Sequence, residues 1–432
     1  MTTIVCDTGT CSLKLGVVSD ASSRRAPSRI IPNVIGEPTV QTTSNGCCEN
    51  TIVSNENETD AMKILRKFTQ NTPSIGPAMI ASSQNSPIPT STVIGSRVWD
   101  FEGNVSLKYP MKKGQVTDWD AMGTVWQSAF SDLILSGEQP RSPLQVSLRE
   151  NKRQKKMSSG VSFRGSSLVL SESSRMMKRD KLYEQIFEVF EFDRVNVSLQ
   201  AALVLAARGT NSGLVVDCGE GLTQITPVYE GFVQKQAVRV LEIAGKKVSE
   251  RLADLMRRSD NNSYKIGSRK CENIKEEYCY LSNDIDEERY VADTTNLLTR
   301  KISLPDGTCV NLNRERFLAP EILFEPKYVG DASSDSLGIG SAVVDSIASS
   351  AIDLRSGFYK SIILAGGSTC TKGFSNRLKH ELRDHDPLVD EIGSRQFLAF
   401  QGGCVVAELN AGTESSQWWI SRADYLEKGA HI

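Results

Sequence analysis

The most distinctive pattern of apolar and polar positions is a strand–turn–strand unit that occurs twice. Near the start, the apolar residues 4–6 lead into Asp7 and a Gly-containing turn, and apolar and polar residues then alternate through Val17. Near the middle, residues 213–216 lead into a second acidic, glycine-rich turn, followed by alternation over residues 222–229. Alternation with a period of two around such a turn predicts a β-hairpin. Two similar hairpins predict an α/β fold with two related lobes that face one another.

Helical periodicity is clearest over residues 118–135, where Trp119, Met122, Trp126 and Phe130 recur near helical spacing. Further helices are predicted for residues 176–189, 197–207 and 375–383 and for a closing segment through residue 411, and further strands for residues 167–170 and for the apolar run from residue 362. Strands that alternate with helices in this way are typical of an α/β protein.

Two polar stretches interrupt this order. Residues 39–92 are rich in Ser, Thr, Asn and Pro, with a short helical patch at residues 61–68, and predict a long mobile insertion. Residues 137–166 form a second irregular stretch with five cations between Arg149 and Lys156. That cluster is either a binding site for an acidic partner or a solvated loop.

Composition narrows the possible classes. A chain of 432 residues predicts two or more lobes. Fifty Lys and Arg against 52 Asp and Glu give no whole-protein argument for nucleic-acid binding. No apolar run approaches the roughly 20 residues that cross a bilayer, and Asp7 comes too early for a signal peptide. Ten cysteines without a C-x-x-C pair predict reduced cytosolic thiols.

The two turns carry the candidate chemistry. Backbone N–H groups at a hairpin tip can cradle phosphate oxygens, and Lys14 on the following strand can reach a phosphate. Asp7 can hold a hydrated Mg²⁺, and Asp217 repeats the motif in the second half. Either turn alone is compatible with a plain structural turn, whereas two facing turns can clamp a polyphosphate and its metal from both sides.

Two weaker signals accompany the turns. The glycines in residues 364–369 follow an apolar strand and permit close backbone approach by a ligand, although a strand-terminating turn explains them equally. Gln200 starts an Ala-rich segment, where a lone Gln usually faces solvent.

The amino-acid sequences of several segments, and the order of these segments along the chain, resemble those of actin and its related proteins. The matching segments are residues 31–36, 107–110, 114–120, 227–231, 274–280, 304–307, 315–317, 319–321 and 419–421. Residues 353–360, 366–369 and 425–429 are most similar to the subclass found in the complex that nucleates branched filaments. The resemblance implies the actin-like ATPase fold, in which two similar lobes, built on duplicated mixed sheets flanked by helices, enclose a nucleotide cleft.

On that resemblance, four subdomains are expected. They are an outer large one (1–32, 110–207 and 397–432), an outer small one with the polar insertion (33–109), an inner large one (208–243 and 332–396) and an inner small one (244–331).

The resemblance also implies ATP and Mg²⁺ in the cleft. Asp7 and Asp217 would organise the metal and its waters, and Gln200 would orient the water that attacks the γ-phosphate, with Gln224 and Asp217 as the other catalytic candidates. The implied nucleotide-binding residues are Gly9, Thr10, Ser12 and Lys14 on the first phosphate loop, Gly219, Gly221 and Leu222 on the second, and Gly245, Lys275, Glu276, Gly366, Gly367 and Ser368 around ribose and adenine.

Several positions depart from the family pattern. Cys11 replaces a loop glycine, Glu220 an aspartate, and Gln224 the histidine that assists the attacking water. Thr371 and Lys372 replace a Tyr-Pro pair beside adenine, and Gln396 replaces a basic residue near the base. These changes predict that nucleotide binding survives, that hydrolysis is slow, and that either the affinity is weaker or the base choice is relaxed.

The leading functional hypothesis is a cytoplasmic, cytoskeletal assembly subunit that uses ATP as a conformational switch. Its expected partners are actin filaments, a second actin-related protein and scaffold subunits, with no direct nucleic acid and no membrane. The insertion at residues 39–92 would obstruct homopolymer packing, unless it packs out of the way. The alternative is a nuclear actin-related subunit of a chromatin-remodelling complex, in which residues 149–156 contact an acidic partner or direct import. A sugar kinase or chaperone with the same ATPase fold is disfavoured, because the actin-like segments extend across the whole chain.

Overall fold

The computed structural model describes residues 2–18, 26–38, 92–101, 104–135, 162–175, 177–259, 267–303, 307, 309–328, 337–391, 393–411 and 418–429. The helical patch predicted at residues 61–68 and the cation cluster at residues 149–156 lie outside these described residues.

The strands are β1 (Thr2–Thr8), β2 (Ser12–Val18), β3 (Arg29–Pro32), β4 (Ile35–Pro38), β5 (Val93–Ile94), β6 (Val105–Lys108), β7 (Met111–Lys112), β8 (Gln115–Val116), β9 (Ser166–Glu172), β10 (Arg194–Leu199), β11 (Gly213–Cys218), β12 (Thr223–Tyr229), β13 (Phe232–Val233), β14 (Arg239–Leu241), β15 (Arg300–Ser303), β16 (Cys309–Leu312), β17 (Ile362–Ala365), β18 (Val389–Asp390) and β19 (Ile420–Ser421).

The α-helices are α1 (Trp119–Leu135), α2 (Arg179–Tyr183), α3 (Gln200–Ala207), α4 (Gly245–Ser259), α5 (Ser268–Tyr278), α6 (Ile285–Thr294), α7 (Glu315–Leu318), α8 (Ile339–Ala348), α9 (Ile352–Tyr359), α10 (Phe374–Glu381), α11 (Leu398–Leu409) and α12 (Arg422–Lys428). Within the described residues, no helix is both long and apolar enough to cross a membrane.

Two mixed sheets share one connectivity. In the first, the order is β19-β10-β9-β1-β2-β3; β1 pairs antiparallel with β2 and parallel with β9, and β9 pairs parallel with β10. In the second, the order is β13-β12-β11-β17-β18; β11 pairs antiparallel with β12 and parallel with β17, and β17 pairs parallel with β18. The repeated pattern of one hairpin followed by two parallel strands confirms the predicted duplication.

Each sheet has its own hydrophobic core. The first core packs α1 against the first sheet through buried aromatic residues that include Trp126, Phe130 and Phe190. The second core joins β11 and β17 to α8 and α10, with Leu364, Ile339 and Phe374 among its members. Because burial of apolar surface is the main driving force of folding, two separate cores make two lobes.

Helices α3 and α11 connect the lobes. They pack so closely that a Cβ at Gly402 would collide with the backbone carbonyl of Leu203. Because Gly402 on α11 has no side chain, the backbones of the two helices can approach one another this closely. The contact places the N-terminus of α3, and with it Gln200, beneath the cleft.

The predicted helix at residues 197–207 is wrong at its start. Residues through Leu199 belong to β10, which pairs parallel with β9, and α3 begins at Gln200. Val195 and Val197 are β-branched and suit a strand once a partner strand is present. The predicted helix at residues 176–189 is a short α-helix, α2, followed by a π-helical turn over Glu184–Val189.

Candidate functional site

The tips of the β1–β2 and β11–β12 hairpins are closed by the same backbone hydrogen bond. The N–H of Gly9 donates to the carbonyl of Ser12 at 3.1 Å, and the N–H of Gly219 donates to the carbonyl of Leu222 at 3.1 Å. In the strand register Asp7 lies opposite Lys14, and Asp217 lies opposite Gln224. The two turns identified in the sequence are therefore equivalent positions in the two lobes.

Asp7 is a buried, fully partnered carboxylate. Lys14 Nζ donates to its Oδ2 at 2.7 Å, and Ser171 Oγ and Gln200 Nε2 donate to its Oδ1 at 2.5 and 3.2 Å. Burial opposes ionisation of Asp7, but the charge and hydrogen bond of Lys14, with the other two donors, outweigh it and lower the pKa. Asp7 is therefore a stable anion.

Asp217 has the opposite electrostatic character. Burial, and then the nearby negative charge of Asp7, raise its pKa to about 6, although Lys14 acts in the other direction. A carboxylate that is desolvated and close to another carboxylate favours a nearby cation.

The two tips line one cavity of about 360 Å³ between the lobes. All predicted site residues contribute to its lining, and they are Asp7, Gly9, Thr10, Ser12, Lys14, Gln200, Asp217, Gly219, Gly221, Leu222, Gln224, Gly245, Lys275, Glu276, Gly366, Gly367 and Ser368. The substituted positions Cys11, Glu220, Thr371 and Gln396 also line it. The structure thus brings together residues from seven separate parts of the chain.

Three glycines leave room where any side chain would intrude. A Cβ at Gly221 would lie 2.5 Å from Thr10 Oγ1 of the opposite hairpin, and a Cβ at Gly245 would collide with Glu220 and Ser368. Gly366 has φ of +86°, and a Cβ there would meet the Asp217 carboxylate. Close backbone approach from both sides is the geometry expected of a phosphate-binding cleft.

An ion pair lies at the wall of the cavity in the second lobe. Lys275 Nζ donates to Glu220 Oε2 at 2.9 Å and to the Gly245 carbonyl at 3.2 Å. Burial raises the pKa of Glu220, and the charge of Lys275 opposes this effect. The pair fixes the second tip against α4 and α5 and leaves polar groups at the wall of the cavity.

The donor set fits Mg²⁺ better than a metal held entirely by protein. Among the described residues, no group of three or more His, Cys, Asp or Glu side chains is arranged to hold a metal ion. Asp7 and Asp217 nevertheless face one cavity, and Mg²⁺ usually binds through one or two carboxylates, phosphates and several waters.

Sequence reasoning missed three contributors. Ser171 donates to Asp7 and accepts the Thr8 N–H at 3.0 Å. Gly114, in the β7–β8 turn, donates its N–H to Thr10 Oγ1 at 3.2 Å. Arg395 lines the cavity and donates to the Thr369 carbonyl at 2.5 Å. Two of them had a sequence signal, because Ser171 directly follows the predicted strand at residues 167–170 and Gly114 opens the matching segment at residues 114–120.

Comparison with known proteins agrees with this architecture. The sequence profile of the Actin family matches residues 1–432. The chain is 30% identical over 377 residues to Actin-related protein 2 of Saccharomyces cerevisiae, covering 82% of this chain and 89% of that protein. It is 29% identical over 445 residues to Actin-related protein 2 of Caenorhabditis briggsae, covering 99% of this chain and 95% of that protein. With a duplicated two-lobed fold, a cleft lined by both hairpins and a match along its full length, the chain belongs to the actin family.

Proposed function

We propose that the chain binds ATP with Mg²⁺ in the cavity between its lobes. The observation that carries the proposal is that two equivalent hairpin tips, with Asp7, Lys14 and Asp217, line a single cavity. Oriented backbone N–H groups at both tips favour a polyphosphate, and Lys14 adds a positive charge on the first tip.

Different residues would bind the phosphate end and the nucleoside end of the ligand. Asp7 and Asp217 would hold the cation through its waters, and Mg²⁺ when bound neutralises phosphate charge. Gly9, Thr10, Ser12 and Lys14 would bind phosphates from one side, and Gly219, Gly221 and Leu222 from the other. Ribose and base would lie among Gly245, Lys275, Glu276, Gly366, Gly367 and Ser368.

Hydrolysis is proposed to be slow. Gln200 donates to Asp7 and can orient a water, as a glutamine does in other nucleotide triphosphatases. On the opposite lobe, Gln224 stands at the position of the family's water-assisting histidine. Its amide cannot accept the proton that a general base would remove. General-base assistance is typically worth about 10²–10⁴-fold in rate, so its loss leaves a nucleotide that persists in the cleft.

The biological role proposed is that of a cytoskeletal assembly subunit, in the cytoplasm, that takes part in nucleating branched actin filaments. Both relatives compared above carry the name Actin-related protein 2, and the segments at residues 353–360 and 366–369 resemble that subclass. ATP that bridges both lobes would favour the closed cleft, because it can shift the population only by binding that state more tightly.

Equilibrium titration of the purified chain with ATP, with and without Mg²⁺, tests the binding. Saturable binding that strengthens with Mg²⁺ is expected, and competition with GTP measures the predicted relaxation of base choice. Absence of saturable ATP binding would overturn the proposal.

A native pull-down with mass spectrometry tests the role. Recovery of a second actin-related protein with scaffold subunits and actin is expected. Recovery of chromatin-remodelling subunits in their place would favour the nuclear alternative and leave only the fold and the nucleotide site.

A further inference from the structure

Asn33 lies behind the tip of the first hairpin, between β3 and β4. It is fully buried and does not line the cavity, whereas Gly9 and Cys11 do. Its backbone N–H donates to the Cys11 carbonyl at 2.7 Å, and its Nδ2 donates to the Gly9 carbonyl at 3.1 Å. One buried residue therefore holds two carbonyl groups of the tip on the side that does not face the cavity.

The bond from the Asn33 side chain takes the place of one that a hairpin turn often makes within itself. In a four-residue turn such as Gly9 to Ser12, the carbonyl of the first residue often accepts the N–H of the fourth. The Gly9 N–H does donate to the Ser12 carbonyl at 3.1 Å, but among the hydrogen bonds of the described residues the Ser12 N–H does not donate to the Gly9 carbonyl. The Gly9 carbonyl binds Asn33 instead, and the Ser12 N–H is left for another acceptor.

The second hairpin has the same open turn, held by different donors. The Gly219 carbonyl accepts the Gly245 N–H at 3.0 Å and the Ser368 hydroxyl at 2.8 Å. Within the part of the chain that the structure describes, it accepts no bond from the Leu222 N–H. In both lobes, donors from outside the hairpin bind the carbonyl of the first glycine of the turn. Since the arrangement recurs on two equivalent tips, it belongs to the site and not to one loop alone.

An open turn of this kind suits a phosphate. In a trans peptide, the carbonyl of one residue and the N–H of the next point in opposite directions. Carbonyls of Gly9 and Cys11 that are bound behind the tip therefore direct the N–H groups of Thr10 and Ser12 towards the cavity, which both residues line. Backbone N–H groups that converge in this way form a concave site for an anion.

We propose that Asn33 is a positioning residue of the phosphate site. By binding the Gly9 and Cys11 carbonyls, it keeps the N–H groups of Thr10 and Ser12 available to phosphate oxygens. This role rests on the proposed ATP site and adds to it a residue that does not touch the ligand. Asn33 has on the first tip the part that Ser368 and Gly245 have on the second.

The Asn33 side chain is expected to matter more for phosphate binding than for stability. Its Oδ1 is buried without a hydrogen-bond partner among the described residues, and burial of an unpaired polar atom costs free energy. Leucine at this position would remove that atom together with the Nδ2 donor. The Gly9 carbonyl could then accept the Ser12 N–H, which closes the turn and withdraws a donor from the cavity.

Ligand titration of the purified full chain tests this role. Asn33→Leu is expected to weaken the binding of Mg²⁺-ATP at least about tenfold, the effect of one lost hydrogen bond to a charged group. Binding of adenosine, which has no phosphate, should change less than about twofold. If Asn33→Leu does not fold, Asn33→Ala removes the same donor without added bulk and carries the same test.

Hydrogen exchange of the ligand-free chain tests the geometry directly. The Ser12 amide should exchange more slowly in Asn33→Leu than in the unchanged chain, because it is then donated to the Gly9 carbonyl. Mass spectrometry with resolution of single amides measures this change. A role in stability alone would instead speed exchange throughout the first hairpin.

Asn313→Leu is the matched control. Asn313 donates its Nδ2 to the Ala292 carbonyl at 3.1 Å, and its Oδ1 is likewise without a partner among the described residues, but it does not line the cavity. The same chemical change is made there, and the affinity for Mg²⁺-ATP is expected to stay the same.

The outcomes separate the role of Asn33 from the proposed function. An ATP affinity of Asn33→Leu equal to that of the unchanged chain, or equal losses for ATP and adenosine, would overturn the role of Asn33. Exchange at Ser12 that is unchanged or faster would overturn it as well. Absence of ATP binding by the unchanged chain would overturn the proposed function itself, and the exchange measurement, made without ligand, distinguishes the two failures.

Discussion

The two hairpins share their strand pairing and the hydrogen bond at the tip, but the pKa of the carboxylate shifts in opposite directions on the two. On the first, Lys14 neutralises Asp7, and Ser171 and Gln200 complete its hydrogen bonding. On the second, Gln224 stands where Lys14 does, and the pKa of Asp217 is raised to about 6 by burial and by Asp7. The same element therefore supplies Asp7, whose ionised form the fold stabilises, and Asp217, whose ionised form the fold disfavours.

This difference indicates a division of roles. The first carboxylate is stabilised by the fold itself, so it anchors the first tip whether or not a ligand is present. The second lacks a cation on its own hairpin and gains most from a bound metal. The two hairpins share their strand pairing, and the residue at one register position, Lys14 or Gln224, distinguishes a carboxylate whose anion the fold stabilises from one whose anion would gain from a bound cation.

The largest expected effect distinguishes the two carboxylates. Asp7→Asn would leave Lys14, whose side chain is 17% exposed, without its anion, and should lower the free energy of unfolding by about 3–5 kcal/mol. Asp217→Asn removes a desolvated charge and should leave the ligand-free chain as stable or more stable, while Mg²⁺-dependent ATP binding weakens. Denaturant unfolding and ATP titration of both variants check this; equal loss of stability in the two would break the comparison.

A medium effect is expected at the hairpin glycines. A Cβ at Gly9 would lie 2.8 Å from the Ser12 carbonyl oxygen, whereas a Cβ at Gly219 would lie 3.6 Å from that of Leu222. Gly9→Ala must displace backbone and should destabilise by about 1–3 kcal/mol. Gly219→Ala makes ordinary contact and should change stability by less than about 1 kcal/mol. Thermal unfolding of the pair measures the asymmetry, and a greater loss in Gly219→Ala would contradict it.

The smallest effect concerns an ion pair that joins the lobes outside the hairpins. Glu242 of the second lobe accepts from Lys113 at 2.5 Å and from Arg175 at 3.2 Å, both of the first lobe. Exposed pairs contribute about 0–1 kcal/mol, so Glu242→Gln should speed nucleotide exchange only about two- to fivefold. Added salt should speed exchange in the unchanged chain and have less effect in the variant.

The matched control for that variant is Glu250→Gln, which breaks a pair with Lys247 inside the second lobe at similar exposure. Its exchange rate should not change. The hydrogen bonds of Lys113 and Arg175 lower the pKa of Glu242. Its contribution to closure is therefore present above the ordinary pKa of a glutamate and is lost as pH falls through the lowered value. Exchange that slows on acidification would contradict this sign.

Local signals were sufficient for much of the site. Alternation around Asp7 and Asp217 predicted both hairpins, and glycine at residues 219 and 221 predicted the second tip. The sequence pattern wrongly extended the predicted helix over residues 197–199. These residues form a strand because they pair with β9, although an Ala-rich run follows them. The four expected subdomains remain a prediction, because their boundaries depend on how the parts move and not on where strands begin.

The sequence by itself determined the duplicated hairpins, the balance of charge and the acidic turns, because these depend on neighbouring residues. Only the tertiary structure decided which groups surround those turns. Gly114 and Arg395 line the cavity from distant positions in the chain, and Ser171 donates to Asp7 from a third distant position. The pairing of Gln224 with Ser174 and Gln200, and the contrast between Asp7 and Asp217, likewise arise only when the lobes come together, since burial and the distance between charges are properties of the folded chain.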